Sequence, residues 1–219
     1  MSWSYDGRDI GISFFDACLK AGAPMRFEPG MYVLEVGCCE SDWLYRACRA
    51  WPEVTYTGLD VNVITSAIAG GGVCCFLERG DAMRPQQFAP ESFDAAVAIS
   101  SIEHIGLGHY GDPIDPDGDS KALANIWRWL KPGGWLYFDV PYDPTKYYLA
   151  GEKQTECRVY DDVALMRRLV SPFMTFHQSG WSQQFRAYMD LRQPSVLIDK
   201  PTAPHPTRYW CVGMVWQKA

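Results

Sequence analysis

Short apolar runs alternate along the chain with stretches whose apolar positions recur every three or four residues. That alternation marks β-α-β units and predicts an α/β fold with a parallel sheet covered by helices. Strands are expected at Met31–Val36, Val54–Leu59, Val73–Leu77, Phe93–Ile99 and Trp135–Val140. After the first strand, Leu44, Ala47, Cys48 and Trp51 share one helical face behind Ser41 or Asp42 as cap. Asn62 is expected to cap a short helix through Ile64, Ala67 and Ile68, ended by the glycines at 70–72. Asp119 or Ser120 starts a helix with Leu123, Ile126, Trp127 and Leu130 on its core stripe. It stops at Lys131-Pro132-Gly133-Gly134, because proline cannot continue it and glycine supplies a positive φ. A further helix is expected near Tyr160–Leu169, then strands at Phe173–His177 and Tyr209–Trp216. Between the last two lies a segment with Pro194, Pro201, Pro204 and Pro206, either a lid or a surface connection.

Composition narrows the class. The 219 residues suit one domain, with no linker or charge block at which to divide them. A net charge of −6 without a basic run argues against holding nucleic acid by phosphate neutralisation. The 8 cysteines form no CxxC pair, so a zinc site is not expected and free thiols in a reducing cytoplasm are. No basic-then-apolar leader and no membrane-length apolar stretch stand in the sequence, so a cytoplasmic protein is expected.

Candidate chemistry collects at the ends of successive strands, where ligands of open α/β sheets bind. Gly37 follows Glu35 and the first strand, and lets backbone approach a ligand closely. Asp60 ends the second strand, where a carboxylate can accept hydrogen bonds from both hydroxyls of a ribose. Gly80-Asp81-Ala82 follows the third and can read an adenine edge. Phe93–Ser100 runs into the loop that should face the reacting centre.

The segments VLEVGC, YTGLDVN, RGDAM, FDAAVAISSIEHI and LKPGGWLYFDVPY resemble, in order, the motifs of class I S-adenosylmethionine-dependent methyltransferases. The string SSIEHIGLGHYGDPIDPDGD is similar to the DUF268 type of methyltransferase-like family, for which the resemblance implies no established substrate. The resemblance implies a three-layer Rossmann-like methyltransferase fold, its mostly parallel seven-stranded sheet closed by an antiparallel last strand. It implies a cofactor-binding core at 31–142, preceded by an N-terminal helical cap at 1–30 and followed by a substrate-side elaboration at 143–219. By the same resemblance, S-adenosylmethionine is the cofactor. Glu35, Gly37 and Cys38 would hold its methionine part, Asp60 and Val61 the ribose, Asp81 and Ala82 the adenine, and the Ile99–Ser100 backbone the amino group. The first loop departs from the family in carrying Cys39 and Ser41 where glycines are usual. Adenosylmethionine has no phosphate, so the loss of an amide cradle is tolerable for it. A dinucleotide would not tolerate it, since GxGxxG is absent.

Methyl transfer requires alignment of nucleophile and methyl carbon, and sometimes removal of a proton. His104 and His109 follow the fourth strand and are candidate bases, with Glu103 beside them. Tyr110, Tyr142, Tyr147 and Trp181 are candidate walls for a small-molecule or glycan acceptor. Asp112, Asp115, Asp117 and Asp119 could ligate a hard cation, but the rest of such a loop is missing. Solvated acids, with Asp119 as helix cap, are expected instead of a metal. The alternative to an enzyme is a non-catalytic binding module or partner subunit that kept the fold. Oligomeric state is not legible.

Overall fold

The structure is a computed structural model that describes residues 6–39, 42–63, 66–70, 73–149, 156–170, 181–206 and 209–219. Helix α1 is Asp6–Lys20 and precedes strand β1, Tyr32–Val36; α2, Trp43–Ala50, leads to β2, Thr55–Asp60. Strands β3 (Ser66–Gly70), β4 (Val73–Arg79) and β5 (Phe93–Ala98) follow, then α3 (Gly118–Trp129) and β6 (Leu130–Tyr142). A short helix, α4 (Asp162–Ala164), passes into a π-helical turn at Leu165–Val170, before β7 (Trp181–Asp190), β8 (Leu197–Ile198) and β9 (Trp210–Lys218).

The strands form one sheet in the order β3-β4-β2-β1-β5-β6-β9-β7-β8. Strands β4, β2, β1, β5 and β6 run parallel, whereas β9 pairs antiparallel with both β6 and β7. The expected seven-stranded sheet is therefore present, with an additional short strand on each edge. Side chains of the central strands alternate between two cores, as the two-residue strand period demands. Leu34, Ala96, Ala98, Phe138 and Met214 face the side covered by α3 and the 162–170 helix. Val33, Ala95, Val97, Tyr137 and Val215 face the side covered by α1 and α2. This is the three-layer arrangement of the class I methyltransferase fold.

Four expectations are corrected. The expected short helix gives way at Ala67 and Ile68 to β3, which pairs antiparallel with β4 up to Gly70 opposite Val73, while Ile64 lies outside the described residues. That register leaves two residues between the strands, and a Gly-Gly pair is a hairpin-loop composition. Three apolar positions in five residues could not tell the two periods apart. The strand expected from Trp135 begins earlier, at Leu130, and takes in the LKPGG stretch. Phe93 pairs with Leu130 and Ala95 with Trp135, so it loops out of β6, with Gly133 at φ 77°. The helix expected from Tyr160 begins at Asp162, where the Asp161 carboxylate accepts the Ala164 N–H at 2.7 Å. Asp119 is no solvated cap: the cap position is Asp117, and Asp119 is wholly buried.

Strand β7 was not foreseen, although Phe185, Ala187 and Met189 alternate with Arg186, Tyr188 and Asp190. The expected strand at Phe173–His177 lies outside the described residues. The proline-rich segment is strapped to the sheet edge. Strand β8 pairs with β7, Lys200 meets Asp162 at 2.6 Å, and Trp210 donates to Ala203 O at 3.0 Å. No helix among the described residues is long and apolar enough to cross a membrane.

Candidate functional site

A cleft of about 660 Å³ opens over the carboxyl ends of β1, β2 and β4, closed on one side by the loop that follows β5. Strand β1 ends in Gly37 at φ 83°, a left-handed conformation that a side chain would strain. Its N–H donates to Leu59 O at 2.8 Å, which brings the turn down onto the end of β2. There Asp60 presents its carboxylate, accepting Cys39 N–H at 3.1 Å and Asn62 N–H at 2.9 Å. Each oxygen is thus oriented by one backbone donor and keeps a lone pair for a ligand.

After β4, Asp81 accepts Met83 N–H at 2.8 Å, and Asn125 of α3 donates to Ala82 O at 2.8 Å. Val36, Gly37, Cys39, Asp60, Val61, Asp81 and Ala82 all line the cleft. Cys38 points away, toward Gly58, where a Cβ would come within 2.7 Å of its sulfur. Glu35 lies buried beneath the cleft floor at 1% exposure.

The opposite wall begins at a strained turn. Ser100 has φ 44°, and Asp139 of β6 holds it there by accepting its N–H at 2.7 Å. Tyr137 OH in turn donates to Asp139 at 3.0 Å. Burial, reinforced by the Asp139 charge, pushes the Tyr137 phenol far above its ordinary pKa, so it remains a donor. Helix α1 packs on this turn only because residue 11 is glycine, since a Cβ would lie 2.5 Å from Ile99 and 2.8 Å from Ser100 Oγ. Ser100 therefore faces Asp139, and Ser101, absent from the expectation, lines the cleft.

His104 lines the cleft with its Nε2 at 3.8 Å from Glu103 Oε1, while Glu103 itself is buried. The Tyr110 ring stands edge-on to His104, with centroids 5.7 Å apart, and Tyr110 O accepts Asn62 Nδ2 at 3.0 Å. That bond joins the loop after β5 to the end of β2. Asp112 also lines the cleft and accepts Gly106 N–H at 2.7 Å. His109 is exposed and outside the lining.

The remaining aromatic candidates sit elsewhere. Tyr142 is fully buried against Tyr188, with ring centroids 5.2 Å apart, and burial raises its phenol pKa. Tyr147 packs on Tyr160 at 5.7 Å. Trp181 opens β7 opposite Lys218, at the far end of the sheet from the cleft. Tyr142 belongs to the core because β6 runs on to it, deeper than its apolar run suggested, and Tyr147 is a partly buried ring packed against that core.

Among the described residues, the lining offers three carboxylates (Asp60, Asp81, Asp112) and one imidazole, and no lysine or arginine. Such a field favours neutral or cationic ligands. The donor set fits an adenosyl group with a sulfonium: a fixed carboxylate for a diol, a close-approach glycine and an acidic turn for the base. Among the described residues, no three His, Cys, Asp or Glu side chains converge as metal ligands.

Comparison with known proteins yields one family model, described as "Caenorhabditis protein of unknown function, DUF268", which matches residues 77–190. No curated protein matches the chain. Among solved structures, it is similar to the Burkholderia thailandensis 1,6-didemethyltoxoflavin-N1-methyltransferase with bound 1,6-didemethyltoxoflavin and S-adenosylhomocysteine. The TM-score is 0.59 at 15% identity, covering 98% of this chain and 80% of that one. A putative methyltransferase in complex with the Haloferax volcanii Trm112 activator gives 0.57 at 18% identity, covering 99% and 96%. The [4+2]-cyclase SpnF gives 0.61 at 14%, covering 94% and 80%. The shared property is the fold.

Proposed function

The chain belongs to the DUF268 family, and from that premise we propose that it is an S-adenosylmethionine-dependent methyltransferase acting on an oxygen or nitrogen of a small-molecule or glycan acceptor. The observation that carries this reading is one cleft with two unlike walls: Gly37, Asp60 and Asp81-Ala82 on one, His104 and Tyr110 on the other. The adenosylhomocysteine bound in the Burkholderia relative of the same fold supports it.

In this reading, the Asp60 carboxylate takes the ribose hydroxyls, and its two backbone donors hold it in place before any ligand arrives. Asp81 and the Ala82 backbone take the adenine, and the Gly37 turn admits the methionine part. When bound, the cofactor supplies an electrophilic methyl carbon on a sulfonium. The protein's own contribution is alignment, plus a base. The His104 imidazole accepts the acceptor's proton, and buried Glu103 at 3.8 Å favours the resulting imidazolium. The Tyr110 ring gives the acceptor an apolar face.

Calorimetry with adenosylmethionine, adenosylhomocysteine and NAD tests the reading. Saturable binding of the two adenosyl compounds and none of NAD is expected. Absence of binding by all three would remove the enzyme reading and leave a non-catalytic module, the outcome that the exposed Cys39 in the first loop would favour. His104→Ala should lower turnover more than adenosylhomocysteine affinity; equal losses would mark a structural histidine.

A further inference from the structure

We infer that Arg158 is a positioning residue that sets the acceptor wall, by fastening both strands at the neck of the 105–116 loop with one guanidinium. The inference rests on the proposed function only in treating that loop as the acceptor wall. Arg158 has no exposed surface. Its Nη1 donates to Ile105 O at 2.7 Å and Glu103 O at 3.4 Å, where the chain enters the loop. Its Nη2 donates to Asp115 O at 3.3 Å and Pro116 O at 3.4 Å, where the chain leaves it. Its Nε lies 3.8 Å from Asp119 Oδ2, so the charge is compensated within the core.

An irregular loop has no ladder to satisfy its carbonyls, and buried carbonyls without donors are costly. An apolar side chain of equal volume could fill this space but could not join two chain segments through their carbonyls. A planar fork of five donors can. The neck is also closed sterically. A Cβ on Gly118 would lie 2.6 Å from Ile105 O and 2.7 Å from Gly106 Cα, so the two strands meet only as glycines. Within the loop, Asp115 N–H donates to Gly106 O at 2.8 Å, and Asp112 accepts Gly106 N–H. These bonds tie the interior of the loop to its neck. His104 and Ile105 sit on the neck itself, and Tyr110 hangs at the tip against Asn62. Fixing the neck fixes the direction of the His104 ring relative to the cleft.

Two variants test the clamp in the ligand-free protein, by amide hydrogen exchange and the His104 ring signals in NMR. Arg158→Lys keeps the charge beside Asp119 but cannot span both strands. Gly118→Ala leaves Arg158 in place and wedges the neck through backbone contact. Each should speed exchange at 104–116 by about tenfold or more while amides of β1, β5 and β6 keep their protection, as expected for local opening. Each should also shift the His104 signals. A uniform rise in exchange across the sheet, or loop amides and His104 signals like those of the wild type, would overturn the inference. If Arg158→Lys does not fold, Gly118→Ala decides alone. Failure of the wild type to bind adenosylhomocysteine would sink the functional reading, while the exchange results would still decide the clamp.

Discussion

The two walls of the cleft are built by different means. On the Asp60–Asp81 wall, most of the orienting bonds are short in sequence: Asp60 to Asn62 and Asp81 to Met83 each span two residues and Cys39 to Asp60 spans 21, with Asn125 to Ala82 the long one at 43. On the acceptor wall, Arg158 reaches Ile105 over 53 residues, Tyr160 reaches Asp119 over 41, and Arg168 reaches Asp119 over 49. One wall follows from strand ends and tight turns that any parallel sheet supplies. The other exists only once the segment 156–170 has docked. The walls still touch: Asn62 donates to Tyr110 O, and α3 carries both Asn125, which holds Ala82, and Asp119, which meets Arg158.

The sharpest way to break the comparison is Asp119→Ala. Asp119 compensates buried Arg158 and partly exposed Arg168 and accepts Tyr160 OH at 2.8 Å. Leaving buried Arg158 without its carboxylate should cost about 3–5 kcal/mol in thermal or denaturant unfolding. A loss below about 1 kcal/mol would show that the network is not what holds the acceptor side. Next comes Asp60→Ala, aimed at the other wall. Losing two charge-assisted hydrogen bonds should weaken adenosylhomocysteine about 10- to 100-fold by calorimetry. Unfolding should shift by only about 1 kcal/mol, since only two exposed backbone donors lose their partner. Unchanged affinity would show that the ribose lies elsewhere.

Tyr160→Phe sharpens the first test by removing one donor and no charge. Asp119 retains Ser120 N–H and Arg168, so the expected loss is about 1 kcal/mol, measured by the same unfolding curves. Smallest is Arg192→Ala, at the sheet edge and away from both walls. The hydrogen-bonded Arg192 guanidinium holds the Asp190 carboxyl well below the usual carboxylate range. A depressed carboxyl stabilises the fold above its unfolded pKa of about 4, and that contribution fades as pH falls below this value. Arg192 is 62% exposed, so the effect at neutral pH should stay under about 1 kcal/mol. The measurable change is a shallower loss of stability between about pH 4 and pH 2. An identical acid limb in variant and wild type would show that the pair does not set Asp190's titration.

The legible part of the protein matches the first of the two construction rules. Strand positions β1, β2, β5 and the core of β6 could be read from apolar runs, because both faces of a central parallel strand are buried, and β4 from its Val73–Leu77 run, although Phe76 is exposed near the sheet edge. Gly37, Asp60, Asp81 and Ala82 could be placed because a ligand site at strand ends needs only the order of the strands. His104 could be placed for the same reason. Ser101 could not, since which of two adjacent serines faces inward depends on the strained φ at Ser100, imposed by Asp139 from another strand. Strand β3 was hidden by a short pattern that fits two periods, and the Gly-Gly hairpin signal was the clue that separates them. Tyr142 and Tyr147 carry the same aromatic signal in a core as in a pocket wall, and only packing tells them apart.

The sequence by itself determined the α/β class, the order of the strand-end motifs and the gathering of Gly37, Asp60, Asp81 and Ala82 at one end of the sheet, since these rest on local periodicity and on turns of a few residues. Only the tertiary structure decided that Arg158 and Asp119 lie in the core, that the 105–116 loop is clamped at its neck, and that the proline-rich segment is strapped to β7. A charged residue reads as surface in one dimension. Its burial becomes tolerable only when partners more than forty residues away converge on it, and no local pattern encodes that convergence.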